Sequence, residues 1–273
     1  ISYNLIGEEK MRRLGALLAR ASVTVAADNP VTIAGLPDAA ARAGRDLGVV
    51  VECDTGRQRA GVETPEEAVA LAGQIAGSTG LRFDGLMLYP TEDGWDKAQR
   101  FLDAASAGLA SLGLTARIVS TGGTPNLVNL GKLKGATEHR VGTSIFNDRM
   151  MLACGAATLE DCALEVYATV VSRAGPERGI LDSGSKTLTS DTGGGLDGHG
   201  LILEHPQARI ARFAEEHGFL DLSGCNDKPE VGDVVRVIPN HVCVVVNMVD
   251  RLIAVRGGEI IGEIPVAARG RLG

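Results

Sequence analysis

The sequence predicts an α/β protein: a (β/α)₈-type barrel, of which about six βα units are present, followed by a mostly antiparallel β domain. First, apolar strand-like runs alternate with alanine-rich segments of helical period over the first 160 residues. Second, after about Leu164 the helical segments largely give way to short strands broken by Gly and Asp. Third, 273 residues suffice for one large domain and a smaller one.

Each predicted βα unit begins with a strand-like run and continues with a helix-like segment. The runs are ISYNLI, VTVAAD, GVVVECDTG, FDGLMLY, ARIVSTGG and ATEHRVGT. The helical segments cover residues 8–20, 31–45, 65–77, 95–112, 125–134 and about 147–155. The third helix has a clear start, because Thr64 can cap it and Pro65 suits the first helical position.

The change of pattern predicts a barrel domain over residues 1–160 and a β domain over 161–273. The strands expected in the β domain are LEVYATVVSR, RGILDSG, RIARFAEEHG, DVVRVIP, HVCVVVNMVD and LIAVRGGEIIGEIPV. A glycine-rich segment, TSDTGGGLDGHG, separates the second from the third.

Composition excludes several classes of function. A net charge of −7 without a basic stripe argues against nucleic acid, and no apolar run approaches the ~18 residues of a membrane span. The five cysteines are odd in number and irregularly spaced, which indicates a reducing compartment rather than a disulfide framework. We therefore expect a cytoplasmic protein with a small-molecule substrate.

Two glycine-containing loops indicate a phosphate site. A full barrel has eight βα units, so if two precede Ile1 the six present are units three to eight. Barrels often bind phosphate with the loops after strands seven and eight, which here are STGGT (120–124) and RVGTS (140–144). Either motif alone is more typical of a tight turn. Together, at these positions, they favour a phosphate-bearing ligand.

Other candidate residues follow strand ends. VECDTGRQRAGV places Asp54, Arg57 and Arg59 where side chains point at a barrel's active site, although Arg57 fits a surface salt bridge equally well. Tyr89 ends the next strand, where a ring can stack on a planar cofactor or simply lie at the rim.

The run VIPNHVCVVVNMVD (237–250) suggests a metal site. His241 and Cys243 stand two apart, and in a strand they would share one face and reach one ion. Imidazole with thiolate suits Zn²⁺, and only two ligands suit an open catalytic site. A half-buried His beside a core Cys is the alternative.

The motifs VECDTGRQRAGV, STGGTPN, ATEHRVGTSIFND, ILDSGSKTLTSD, FAEEHG and IPNHVC occur in this order. The chain thereby resembles, over essentially its whole length, the D-threonine aldolase and D-serine dehydratase family. The resemblance implies an alanine-racemase-like (fold-type III) barrel and β domain, with pyridoxal phosphate and a divalent metal (Zn, Mn or Mg) as cofactors.

The resemblance also implies roles for individual residues. Arg59 and Tyr89 would contact the cofactor ring, and His241 and Cys243 would hold the metal that grips the substrate's β-hydroxyl. Arg59, Tyr89 and His241 are the catalytic candidates. Asp182 and Lys186 match a motif near the active site, without an assigned role. The cofactor's phosphate would be bound by two loops, formed by Thr121, Gly122, Gly123 and Thr124 and by Gly142 and Thr143.

The sequence departs from the family pattern in three places. Ser144 stands where the family often has Tyr, and Pro90 where a His or another polar residue follows the barrel tyrosine. The family's Schiff-base lysine lies on the first barrel strand, in a stretch with no counterpart here. The six lysines of this chain, Lys10, Lys97, Lys132, Lys134, Lys186 and Lys228, match no such position. We therefore expect this chain to represent the enzyme incompletely.

The resemblance implies a homodimeric lyase acting on D-3-hydroxy-α-amino acids. The loops favour D-threonine aldolase-type cleavage to glycine and an aldehyde. The thiol of Cys243 resembles instead the zinc-using dehydratases, which convert D-serine or D-3-hydroxyaspartate to a keto acid and ammonia. A non-catalytic barrel that binds pyridoxal phosphate is a further alternative. A barrel metal hydrolase is disfavoured, because no third ligand follows at useful spacing.

Overall fold

A computed structural model describes residues 4–271 and divides the chain into two compact units, Ile1–Val141 and Gly142–Gly273. Residues 142–160, which the sequence pattern groups with the barrel, are counted in the second unit. Within the described part of the chain, no helix combines the length and apolar character needed to cross a membrane.

The first unit is a parallel sheet of five strands with helices between them. Each strand pairs with its neighbour in sequence, in the order β1-β2-β3-β4-β5, as the predicted βα repeat requires. The strands are β1 (Thr24–Ala27), β2 (Leu47–Cys53), β3 (Leu81–Leu88), β4 (Ile118–Gly122) and β5 (Glu138–Arg140). The helices are α1 (Glu8–Leu18), α2 (Pro30–Ala43), α3 (Pro65–Ala76) and α4 (Trp95–Ser111).

Local chemistry explains where these helices begin. The Thr64 hydroxyl accepts from the Glu67 N–H while the Glu67 carboxylate accepts from the Thr64 N–H, a complete capping box before α3. Asn29 caps α2 in the same way, accepting from the Thr32 N–H at 2.9 Å. These helices therefore begin at Pro30 and Pro65, within a residue of the predicted starts.

Two predicted elements of the first unit differ from the structure. Of the strand-like run ISYNLI, Ile1–Tyr3 lie outside the described residues, and 4–6 form no strand. The segment predicted as a helix over 125–134 is a 3-10 helix, Thr124–Lys132.

A buried carboxylate connects neighbouring strands near the amino-terminal end of the parallel sheet. Asp84 is 1% exposed and accepts hydrogen bonds from Arg82 (2.7 Å), Arg117 (3.1 Å) and the Thr24 hydroxyl (3.0 Å). Its carboxylate passes directly over Gly48, where an added Cβ would lie 2.0 Å from Oδ2. Burial raises the pKa of Asp84, but these three donors outweigh burial and hold the pKa below its usual value.

The second unit is mostly antiparallel, as predicted. One sheet has the order β8-β11-β6-β7-β10-β9, and β12 and β13 form a separate hairpin. The strands are β6 (Val166–Arg173), β7 (Arg178–Leu181), β8 (Leu201–Ile202), β9 (Arg209–Phe213), β10 (Gly218–Asp221), β11 (Val234–Ile238), β12 (Arg251–Arg256) and β13 (Glu259–Pro265). The helices are α5 (Arg149–Ala153), α6 (Ser185–Leu188) and α7 (Val242–Asn247).

The prediction of a strand over residues 241–250 is wrong. β11 ends at Ile238, and His241 occupies the N-cap position of helix α7 with an extended backbone. The valines that follow prefer strands by their β-branching, but tertiary contacts override that preference. The buried Asn240 side chain donates to two carbonyls, and the Val242 N–H donates to the carboxylate of Asp148, which starts a helix there.

Candidate functional site

The loop after β2 is organised by one carboxylate. Asp54 accepts from the Gly56 N–H at 2.7 Å and from the Arg59 N–H at 3.2 Å. Gly61 has φ +113 and lies so close to the strand that an added Cβ would be 2.6 Å from the Asp54 nitrogen. The loop is thus folded back on its strand, and Asp54 fixes the backbone that carries the arginines.

Both arginines of this loop lie over the ring of Tyr89. The guanidinium carbon is 4.3 Å from the ring centroid for Arg57 and 5.3 Å for Arg59. Arg57 also donates to the Pro90 carbonyl and to Glu92, so it forms the predicted surface salt bridge as well as the ring contact. Arg59 and Tyr89, predicted separately, are therefore neighbours.

Arg59 is paired with a carboxylate of the adjacent strand. Its guanidinium lies 3.6 Å from Glu52, which is 8% exposed on its side chain while that of Arg59 is half exposed. Desolvation by burial raises the pKa of Glu52 despite this arginine. Arg59 thus keeps an exposed cation beside the ring of Tyr89.

The first predicted phosphate loop packs against the same tyrosine. Gly123 has φ +98, and a Cβ there would lie 2.3 Å from Tyr89 Cε2. The Asn126 amide, fully buried, donates to the carbonyls of Gly122 and Pro90 and so ties the loop to the end of β3. Only glycine fits this contact in the left-handed region.

Two residues of β5 that were not among the predicted site residues support this loop. His139 Nδ1 lies 2.6 Å from the Thr121 hydroxyl, and its Nε2 lies 3.0 Å from the Gly123 carbonyl. Arg140 donates to the Ser120 hydroxyl and to the Leu88 carbonyl, and burial lowers the pKa of its guanidinium. Their position directly before the second glycine loop was the available signal.

The donors gathered here fit the phosphate and ring of pyridoxal phosphate. Thr124, buried at the start of the 3-10 helix Thr124–Lys132, supplies a hydroxyl and a backbone N–H. The Asn126 N–H donates to the Gly123 carbonyl, and the Thr121 hydroxyl is hydrogen-bonded to residues of β5. Arg59 supplies a cation, and Tyr89 a ring. The set suits an anionic group attached to a planar ring.

The second predicted loop begins the second unit. An added Cβ at Gly142 would meet no heavy atom within 4 Å, so this backbone is open to a ligand. Thr143 starts a short 3-10 helix, Thr143–Ile145, and its hydroxyl is hydrogen-bonded to the side chain of Cys243. The structure therefore joins a predicted phosphate-loop residue to a predicted metal ligand.

His241 is held by a carboxylate far away in the sequence. Asp148, fully buried, accepts from His241 Nδ1 at 2.9 Å and from the Val242 N–H at 3.1 Å. The hydrogen bonds with Asp148 and then Cys243 raise the pKa of His241 to about 10. The imidazole thus stands between a carboxylate and a thiol.

Cys243 is an exposed thiol with a perturbed ionisation. Its hydrogen bond with His241 lowers the pKa of the thiol, against the opposing effect of partial desolvation by neighbouring atoms, and the Thr143 side chain adds to the lowering. A thiolate is the form that binds metal. His241 and Cys243 meet at the start of α7, by a different geometry from the predicted shared strand face.

This pair fits a divalent metal in an open site. Asp148 occupies Nδ1, which leaves Nε2 as the nitrogen of His241 that could bind a metal together with the Cys243 sulfur. Among residues 4–271, no group of three His, Cys, Asp or Glu side chains is arranged to hold a metal ion. Two protein ligands with open positions suit a catalytic metal that also binds substrate.

The residues of the DSGSK motif have structural partners in the second unit. Asp182 pairs with Thr169 across β6 and β7, its carboxylate accepting from the Thr169 N–H at 2.7 Å. Lys186 is exposed and forms an ion pair with Glu216 at 2.7 Å. An added Cβ at Gly184 would lie 2.4 Å from the Ala214 carbonyl, so this turn requires glycine.

Comparison with known proteins identifies both halves of the chain. The family described as alanine racemase, N-terminal domain, matches residues 6–150. The putative serine dehydratase domain matches residues 163–255, which include His241 and Cys243. Residues 151–162 lie between the two matched ranges.

Individual relatives agree with these matches. D-threonine aldolase from Arthrobacter sp is 30% identical over 99% of this chain and 73% of its own length. 3-Hydroxy-D-aspartate aldolase from Paracoccus denitrificans is 28% identical over 92% of this chain and 68% of its own. The crystal structure of D-threonine aldolase from Filomicrobium marinum superposes with a TM-score of 0.89 at 29% identity, covering 99% of this chain and 76% of that one.

The predicted fold class and the predicted resemblance are thereby confirmed. The chain belongs to the alanine-racemase-like family of lyases that includes the D-threonine aldolases and 3-hydroxy-D-aspartate aldolases and that uses pyridoxal phosphate with a divalent metal.

Proposed function

We propose that this protein cleaves D-3-hydroxy-α-amino acids between Cα and Cβ, giving glycine and an aldehyde. The observation that carries the proposal is the pair formed by His241 and Cys243, with Asp148 occupying the other imidazole nitrogen. A ligand pair of this kind suits a metal that binds a substrate hydroxyl, a group that plain racemisation does not require. The aldolase relatives, similar over most of their length, favour the same reaction.

In this proposal the first unit holds the cofactor ring and most of its phosphate contacts. Arg59 and Tyr89 contact the ring, and Thr121, Gly122, Gly123 and Thr124 bind the phosphate, with Gly142 and Thr143 completing the set. Bound pyridoxal phosphate supplies an electron sink for the bond that breaks at Cα. The guanidinium of Arg59 is half exposed beside Tyr89, so it is accessible to the cofactor. In this proposal its positive charge lies at the polar edge of the pyridoxal ring.

His241 and Cys243 would hold the divalent metal in the second unit. A metal held there would supply Lewis-acid chemistry to the substrate's β-hydroxyl, whose proton has to leave for Cα–Cβ cleavage. The thiolate of Cys243 offers a soft ligand, which favours Zn²⁺ over Mg²⁺. We propose residues 1–160 as the cofactor-binding domain and 161–273 as the metal-binding domain.

Dehydration of D-serine or D-3-hydroxyaspartate is the second candidate. It is favoured by the thiol of Cys243 and by the putative serine dehydratase domain that matches residues 163–255. In that reaction Cα would lose a proton and the β-hydroxyl would leave, with the metal supplying Lewis-acid chemistry. Hydrolysis of the dehydrated product then gives a keto acid and ammonia.

Product analysis separates the two reactions. The holoenzyme is incubated with D-threonine, D-serine and D-3-hydroxyaspartate, and aldehyde, keto acid, glycine and ammonia are measured. Equal amounts of glycine and acetaldehyde from D-threonine support the aldolase. Keto acid and ammonia in equal amounts, without glycine, would instead establish the dehydratase.

We further propose that the protein is a homodimer, the state implied by the resemblance to its family. Sedimentation equilibrium of the active enzyme tests this, and an active monomer would refute it.

A further inference from the structure

Asp148 connects two helix starts that are far apart in sequence. Its Oδ1 accepts from the Met151 N–H at 3.1 Å and caps α5. Its Oδ2 accepts from the Val242 N–H and from His241 Nδ1, 94 and 93 residues away. The Asp148 side chain is fully buried, so its carboxylate makes no hydrogen bonds to solvent. The three N–H donors replace those hydrogen bonds.

The hydrogen bonds determine which nitrogen of His241 carries the proton. A carboxylate oxygen that already receives the Val242 N–H can only accept, so Nδ1 must donate to it. In the neutral ring, Nε2 then has the lone pair. The His241 ring also interacts with the side chain of Cys243.

We propose that Asp148 is a positioning residue that fixes the orientation and tautomer of His241 and so prepares Nε2 to bind metal together with Cys243. This role rests on the proposed metal-binding function of the pair. Partners of this kind typically change metal affinity by about 10- to 100-fold when they are replaced.

An asparagine at position 148 would separate positioning from capping. Asn is as good an N-cap as Asp, so its oxygen can still accept from the Met151 N–H. Its NH₂ group would then face the Val242 N–H, and would donate to His241 Nδ1 rather than accept from it. The proton would have to lie on Nε2, which removes the metal-binding lone pair.

The test measures zinc affinity by competition with a chromophoric chelator for wild type, Asp148→Asn and a control, Asp161→Asn. Asp161 also caps a helix start in the second unit, through the Thr158 N–H at 2.8 Å, but is exposed. We expect a 10- to 100-fold loss of zinc affinity for Asp148→Asn and no loss for Asp161→Asn. Wild-type affinity in folded Asp148→Asn would overturn the proposal.

A second measurement does not depend on any variant. Long-range ¹H–¹⁵N correlation spectra of the zinc-loaded wild type report the state of each His241 nitrogen. We expect a protonated Nδ1 and a metal-bound Nε2, and metal on Nδ1 would overturn the role of Asp148. If His241→Ala binds zinc as tightly as wild type, the proposed metal site is wrong, which is a different failure.

Discussion

Replacing Gly123 by Ala is expected to damage both the fold and the cofactor site of the first unit. The added Cβ would lie 2.3 Å from Tyr89 Cε2 and 2.6 Å from its hydroxyl, well inside contact distance. The ring would have to move, and with it the contact that it makes with Arg57 at 4.3 Å.

The magnitude combines two costs. A left-handed backbone at φ +98 costs about 1 to 2 kcal/mol for a residue with a Cβ. Forcing a methyl group into an occupied space costs about 1 to 3 kcal/mol. The sum gives a loss of about 2 to 5 kcal/mol in the free energy of unfolding.

The assay uses the only tryptophan of the chain. Trp95 is buried in the first unit, at the start of α4, so its fluorescence in urea reports the unfolding of that unit. Cofactor affinity is measured in parallel by absorbance titration. Gly131→Ala is the matched control, because a Cβ there meets nothing within 4 Å and the residue lies in the 3-10 helix that follows Gly123. An unchanged urea midpoint together with unchanged cofactor affinity in Gly123→Ala would refute the reasoning.

Three further predictions follow from other residues. The pKa of Asp84 is lower in the folded protein than in the unfolded chain. The ionised carboxylate therefore contributes its full stabilisation at pH values above the pKa that Asp84 has in the unfolded chain. This contribution is lost as the pH falls through the pKa that Asp84 has in the folded protein. Trp95 fluorescence in urea at pH 7 and pH 3 should therefore show a smaller stability difference for Asp84→Asn than for wild type, and an equal difference would contradict this. Thr64→Ala removes the capping box of α3 and should cost about 0.5 to 2 kcal/mol in the same assay; no loss would mean that the cap does not stabilise the helix. Cys243→Asp should shift activity in chelator-treated, metal-reloaded enzyme from Zn²⁺ toward Mn²⁺, and an unchanged metal preference would argue against a Cys243 ligand.

Much of the first unit could be predicted because local signals and tertiary structure agree there. Helix α3 starts at Pro65 because Thr64 and Glu67, within a segment of four residues, form a capping box. Strand β2 is buried along its whole length, and its apolar run predicts that directly. Where these signals coincide, the predicted starts of α3 and β2 lie within one residue of the structure.

The prediction fails where distant residues decide the local structure. The valines after His241 prefer a strand, but Asn240 and Asp148 start a helix through contacts that span 42 to 94 residues of sequence. The same distance hid Asp148 as the partner of His241. His241 and Cys243 were predicted as metal ligands because two ligand types two residues apart are visible locally, whereas the carboxylate that contacts His241 lies 93 residues away in the sequence.

The central claim is that the pair His241 and Cys243 holds a metal needed for lyase activity and for nothing else. The most direct test measures activity toward D-threonine and cofactor absorbance for His241→Ala and for His217→Ala, an exposed histidine of the same unit. We expect His241→Ala to keep the cofactor and the fold but to lose activity, and His217→Ala to behave like wild type. Wild-type activity per folded molecule in a metal-free preparation of His241→Ala would contradict it.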